Sequence, residues 1–92
     1  MKKWFGSAAV CVNDKQELLM VKQGTPDEDK CWSIPSGGKE ADETFEECCI
    51  REVKEETGYD VHIIRPLFTK TGTQEGFTVV VQYFEVAIHG GE

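Results

Sequence analysis

Residues 37–59 read GGKEADETFEECCIREVKEETGY, and this stretch decides how the rest of the chain is organised. A glycine pair leads into a segment with the marks of a helix. Thr44 and Glu47 have the spacing of a capping box, in which a hydroxyl and a glutamate three residues on satisfy each other's backbone N–H. Gly58 suits the left-handed residue that ends a helix. Between these ends, Glu52, Glu55 and Glu56 stand at i, i+3 and i+4 and share one helical face. Their repulsion costs a few tenths of a kcal/mol per pair. Nothing obvious on that face compensates except a cation brought from outside. The plainer alternative is a solvated acidic face. Phe45, Cys48, Cys49 and Val53 recur at three- and four-residue spacing and form the expected buried stripe, with Ile50 widening it. Arg51 lies eight residues after Glu43, close in azimuth, and its planar fork suits a carboxylate.

The frame around these acids carries more information than the acids alone. Gly37, five residues, Glu43, seven residues, then Arg51-Glu52, Glu55-Glu56, Gly58 and Tyr59 is an order and spacing that resembles the Nudix box. Tyr59 stands where an aliphatic residue is more frequent. Residues 32–38 (WSIPSGG) resemble the family's lead-in, with Ser36 where a third glycine is frequent. The resemblance implies an α/β/α sandwich built on a mixed β-sheet, with the box helix on one face. It covers the chain as a single domain over residues 1–92. Members normally continue into a further strand and a closing helix. The resemblance therefore leads us to expect that these are missing here, or that a partner chain such as a second copy in a homodimer supplies the cover.

The activity so implied is divalent-metal-dependent hydrolysis of a nucleoside diphosphate linked to another moiety, by attack of water on phosphorus. By position, Glu52, Glu55, Glu56 and the carbonyl near Gly37 would hold Mg²⁺ or Mn²⁺. Glu52, Glu55 and Arg51 would be the catalytic set, with Glu52 as a base toward water. Gly38, Glu40, Glu43 and Arg51 would support substrate and ligands from behind, Glu40 touching an outer ion. Glu75 is a weaker candidate for the extra acid of many members. Trp4, Phe5, Phe68 and Tyr83 have the chemistry to stack a base, with core packing as the plainer role. The substrate stays open among oxidised nucleoside triphosphates, ADP-ribose, dinucleoside polyphosphates and nucleotide sugars. A non-catalytic nucleotide-binding module, a purely structural acidic helix and an isoprenoid-diphosphate isomerase are the rival readings.

Composition agrees with a small globular domain and narrows its partners. The 92 residues are 39% hydrophobic, with 17 acidic against 10 basic residues and a net charge of −7. That balance opposes binding to duplex nucleic acid or an anionic membrane, while leaving room for a nucleotide that arrives with cations. No apolar run approaches the ~18 residues of a membrane span. The opening MKKWFGSAAVCV has too short an apolar part for a signal peptide and reads as a strand. Cys11, Cys31, Cys48 and Cys49 form no CxxC pair and read as reduced structural thiols of a cytoplasmic protein.

The remaining segments read as strands. Residues 4–12 and 17–23 suggest a hairpin about the polar turn 13–16, the second strand largely buried. Residues 24–30 form a charged loop. Residues 32–35 are short and apolar, and Ser36-Gly37-Gly38 frees the backbone, with positive φ or close approach to a ligand as its uses. Residues 60–71 are strand-like, with Pro66 limiting regular pairing. Residues 72–76 form a turn, and residues 77–89 are the longest β-rich run and a candidate central strand. His62 and His89 are lone histidines in strand-like runs, read as ordinary surface or core residues in preference to catalytic ones. One helix cannot cover both faces of such a sheet.

Overall fold

The computed structural model describes residues 2–23 and 31–91. In chain order the elements are β1 (Lys2–Val10), β2 (Val21–Gln23), β3 (Cys31–Ser33), β4 (Ser36–Gly38), α1 (Phe45–Thr57), β5 (Tyr59–Gln74) and β6 (Phe77–Gly91). A four-stranded mixed sheet has the order β4-β1-β6-β5. β1 runs parallel to β6, while β4 and β5 are antiparallel to their neighbours. The expected charged loop, residues 24–30, lies outside the described residues.

α1 forms where its caps specify. The Thr44 hydroxyl accepts from the Glu47 N–H at 3.0 Å, and the Thr44 N–H donates to Glu47 Oε1 at 2.8 Å. At the other end Gly58 has φ 82° and donates its N–H to the Lys54 carbonyl. A side chain at that φ would be strained, so glycine closes the helix at low cost. Cys48, Cys49 and Val53 are fully buried and form the inner stripe. Burying Val53 alone contributes about 1.5–3 kcal/mol. Phe45 is half-buried, and Ile50 points outward at 36% exposure instead of widening the stripe.

The core lies between α1 and one face of the sheet. Ala9, Cys11, Cys49, Val53, Val61, Phe84 and Val86 are buried together, with Leu19, Tyr59 and Ile63 packed around them. Phe5, Ser7 and Ala9 of β1 turn toward α1. Phe5 meets Phe45 edge-on at 6.2 Å, and the buried Ser7 hydroxyl donates to the Phe45 carbonyl at 2.7 Å. The small residues of β1 let the helix come close to the sheet.

Several strand expectations change. Residues 17–23 are not a buried partner of β1. A short hairpin does form about the turn 13–16, with a Val12–Leu18 bridge and backbone bonds from the Asn13 N–H to the Glu17 carbonyl and from the Leu19 N–H to the Cys11 carbonyl. It follows β1, however, Leu18 and Met20 are 44% and 39% exposed, and β2 pairs with β3 in a separate two-stranded sheet. The strand order gives β1 the partners β4 and β6 instead, so both its edges are occupied. Pro66 limits regular pairing as expected, without ending β5: it sits on the outermost strand, with register shifts on either side of it. The turn that joins β5 to β6 is tighter than 72–76: Glu75 and Gly76, with φ 50° and 82°, make a two-residue hairpin loop. β6 is central, as its composition suggested.

The face of the sheet away from α1 carries Trp4, Val79, Val81, Tyr83 and Phe68. Trp4 is 41% and Phe68 54% exposed, and Phe68 stacks on Tyr83 at 4.4 Å. Among the described residues α1 is the helix that packs on the sheet, so the fold described is an α+β sandwich of one helix on a mixed sheet.

Candidate functional site

β4 lies along one side of α1, and the family of acids collects at their junction. Gly37 faces the helix at the point where Glu52 rises from it. A methyl group built on Gly37 would stand 2.1 Å from Glu52 Cδ and 2.3 Å from each carboxylate oxygen. Only glycine leaves that carboxylate its place. Gly37 and Gly38 are absent from the glycines with positive φ, so close approach, not unusual backbone conformation, is what this pair supplies.

Arg51 ties the cluster together. Its Nη2 donates to Glu43 Oε1 at 2.6 Å and to the Gly38 carbonyl at 2.8 Å, and Nε donates to Glu43 Oε2 at 3.0 Å. Nη1 donates to Glu52 Oε2 at 3.0 Å and to both oxygens of Glu55 at 3.2 Å. The acidic face therefore has an internal counter-charge, contrary to the expectation that only an outside cation could relieve it. Arg51 neighbours Glu52 in sequence and stands four residues before Glu55, so one guanidinium reaches both.

The remaining expected residues divide between this cluster and other places. The Glu43–Arg51 pair is bidentate, and the Glu40 N–H donates to Glu43 Oε1 at 2.8 Å. Glu40 thus enters through its backbone. Glu56 lies on the β4 side and accepts from the Ser36 N–H at 3.3 Å. Glu55 is the open member, with its side chain 57% exposed against 13% for Glu52. Glu75 stands apart at the β5–β6 turn, beside a shallow cavity of about 240 Å³ that Trp4, Phe77 and Val79 also line.

Two residues join the site that the sequence reading left out. The Cys48 thiol donates to the Gly37 carbonyl at 3.6 Å, holding β4 to α1 one turn before Glu52. Its i, i+4 spacing to Glu52 was the available signal. Ser33 Oγ is buried without a hydrogen-bond partner and lines a cavity of about 180 Å³ with Trp4, Ser36, Gly37 and Tyr83. That cavity connects the open sheet face to the Gly37 backbone. Trp4 and Tyr83 are therefore placed beside the box, whereas Phe5 lies on the other face, exposed and edge-on to Phe45.

The electrostatics follow from these contacts. Hydrogen bonds from Arg51, then the Glu40 N–H, hold the Glu43 carboxyl down at about 2. The Arg51 guanidinium is pushed above its ordinary value, chiefly by the hydrogen bond to Glu43. Burial raises the thiols of Cys11, Cys48 and Cys49, the last to about 12. Glu43 therefore contributes stability that is fully present above its unfolded value near 4.3 and is lost as pH falls from about 5 toward 2. Urea midpoints at pH 5 and pH 2.5 check this. The wild type is expected to lose more stability across that interval than Glu43→Gln, and equal losses would contradict the assignment.

The donor set fits a hard divalent cation. Glu52, Glu55 and Glu56 offer carboxylate oxygens and Gly37 a carbonyl, the ligand types that Mg²⁺ and Mn²⁺ prefer. The glycine cradle, which keeps the Glu52 carboxylate against β4, is the structural feature that supports this fit. As the side chains stand, no three His, Cys, Asp or Glu groups among the described residues converge as a ready-made ion cage.

A capped acidic helix over a glycine strand of a mixed sheet defines an α+β domain of the Nudix type. The family model described as NUDIX domain matches residues 3–91, and the chain belongs to that family. It is 43% identical over 53 residues to the m7GpppN-mRNA hydrolase of Saccharomyces cerevisiae, covering 58% of this chain and 5% of that protein. It is 38% identical over 53 residues to an RNA pyrophosphohydrolase of Marinomonas sp., covering 58% of this chain and 31% of the relative. Among solved structures, a NUDIX hydrolase from Nitrosomonas europaea superposes with a TM-score of 0.90 at 25% identity, over 99% of this chain and 62% of that one. The chain thus spans a minor part of these curated relatives and under two thirds of the structural one. No helix among the described residues is long and apolar enough to cross a membrane.

Proposed function

We propose that this domain hydrolyses the diphosphate bond of a nucleoside diphosphate linked to another moiety, with Mg²⁺ or Mn²⁺ as cofactor. The observation that carries the reading is the Glu52 carboxylate cradled against Gly37 while Arg51 fixes Glu43, Glu52 and the Gly38 carbonyl. Relatives named as an m7GpppN-mRNA hydrolase and an RNA pyrophosphohydrolase support it.

Glu52, Glu55, Glu56 and the Gly37 carbonyl would hold the cation. When bound, it neutralises charge on the phosphate oxygens and lowers the pKa of water. Glu52 accepts the proton of the attacking water as the new oxygen–phosphorus bond forms. The bridging oxygen leaves with the second phosphate group. Arg51 and Glu43 keep the Glu52 carboxylate oriented, and supporting contacts of this kind commonly carry 10–100-fold in affinity or activity. The open aromatic face offers Trp4 and Tyr83 to the nucleoside side, next to the unpartnered Ser33 hydroxyl. Which nucleotide is taken follows from that surface. The buried free thiols Cys11, Cys48 and Cys49 suit a reducing compartment, and we place the protein in the cytoplasm.

A panel of ADP-ribose, nucleoside triphosphates, dinucleoside polyphosphates and nucleotide sugars, incubated with Mg²⁺ or Mn²⁺, tests the proposal. Release of a mononucleotide from at least one compound, abolished by EDTA and restored by added cation, is the expected result. Binding without turnover across the panel would make the domain a nucleotide-binding module instead.

A further inference from the structure

Away from the acidic helix, the chain's two histidines face each other across β5 and β6. The ring centroids of His62 and His89 are 5.5 Å apart, with planes inclined by 45°. They meet beside an irregularity in the sheet. His62 stands opposite Ala87 and Val61 opposite Ile88, but the next pair is Asp60 with Gly90. His89 is therefore the extra residue of a β-bulge. Bulges bend a strand and re-aim its side chains. Regular diagonal neighbours in an antiparallel pair stand about 7–8 Å apart. Here the rings come together, and both residues are exposed to solvent.

That separation suits two imidazoles sharing one ion. With metal–nitrogen distances near 2.0–2.1 Å and N–metal–N angles of roughly 90–120°, the ring centroids of two ligating histidines lie about 4.5–5.5 Å apart. We propose that His62 and His89 bind one borderline transition-metal ion, Zn²⁺, Ni²⁺ or Cu²⁺, through one ring nitrogen each, with water completing the coordination. Imidazole prefers these ions, whereas Mg²⁺ prefers carboxylate and carbonyl oxygens. The histidine pair therefore favours ions other than the Mg²⁺ proposed for the acidic helix. The histidine site would pin the end of the β5–β6 pair, close to the point where α1 passes into β5.

Zn²⁺ titration of the protein in excess Mg²⁺, followed by the imidazole ¹H–¹³C resonances, tests the proposal. Both rings are expected to shift together and to saturate at one ion per chain. His62→Ala should raise the midpoint for His89 by about tenfold or more, because chelation by the neighbouring ring is lost. His89→Ala should do the same to His62. Because both side chains are exposed, the variants should keep the wild-type circular dichroism and hydrolytic activity. The proposal is overturned if neither ring shifts up to millimolar Zn²⁺. It is equally overturned if the remaining ring titrates with an unchanged midpoint in either variant, which would mean that the rings only pack.

Discussion

Glu52→Gln is expected to lower the hydrolytic rate by about 10³-fold, in the range that removal of a general base produces, while leaving the fold in place. The substitution is nearly isosteric. Its amide oxygen still accepts from Arg51 Nη1, which binds Glu52 Oε2 at 3.0 Å in the wild type. It also removes one negative charge from a crowded face. The loss therefore falls on chemistry and cation binding, and the melting temperature should hold or rise slightly. Steady-state rates on the best compound of the panel, with circular dichroism melts alongside, make the comparison. Glu46→Gln, on an exposed position of the first turn, serves as the control and should be near wild type. A Glu52→Gln rate within tenfold of wild type would remove Glu52 from the proposed chemistry.

Gly37→Ala is expected to show a second large effect of a different kind. The added Cβ would meet Glu52 Cδ at 2.1 Å, so one of them must move. The atoms met are the end of a flexible side chain, and the simplest relief is for Glu52 to swing away. Stability should then fall by no more than about 1 kcal/mol, at the low end for overpacking. Activity should fall by about 10²-fold, the scale on which a displacement of about 1 Å at a reacting group is felt. Urea unfolding and kinetics on the same preparation separate the two. A variant that loses several kcal/mol, or one that stays fully active, would contradict the view that this glycine exists to seat Glu52.

The parts legible in the sequence were those set by near neighbours. The capping box, the Gly58 stop and the buried Cys48, Cys49 and Val53 stripe each depend on residues within two turns, and all are present. The pairing of β1 was not legible. Its parallel partner β6 lies 75 positions away in every pair (Lys2 with Phe77 through Val10 with Glu85), while residues 17–23 offered a closer apolar run. Local pattern favours the nearer candidate, and sheet formation chose the distant one. Pro66 was legible because its effect is local: the pairing of β5 shifts register on either side of it.

Site residues were legible in identity but less so in arrangement. Spacing placed Glu52, Glu55 and Glu56 on one face and Glu43 within reach of Arg51. It did not show that one guanidinium bonds Glu43, Glu52 and Glu55 together, because that depends on side-chain rotamers. Ser33 and the His62–His89 pair gave no local signal. The first is marked only by a hydroxyl left without a partner inside the fold, the second only by a bulge.

The central claim is that the Gly37–Glu52 junction receives a divalent cation. Titrating Mn²⁺ into ¹⁵N-labelled protein and following paramagnetic broadening of backbone amides tests it most directly. The account predicts early, saturable broadening centred on Gly37, Gly38 and residues 52–56, competed away by Mg²⁺ and weakened in Glu52→Gln. Broadening centred elsewhere, or unchanged in that variant, would contradict it.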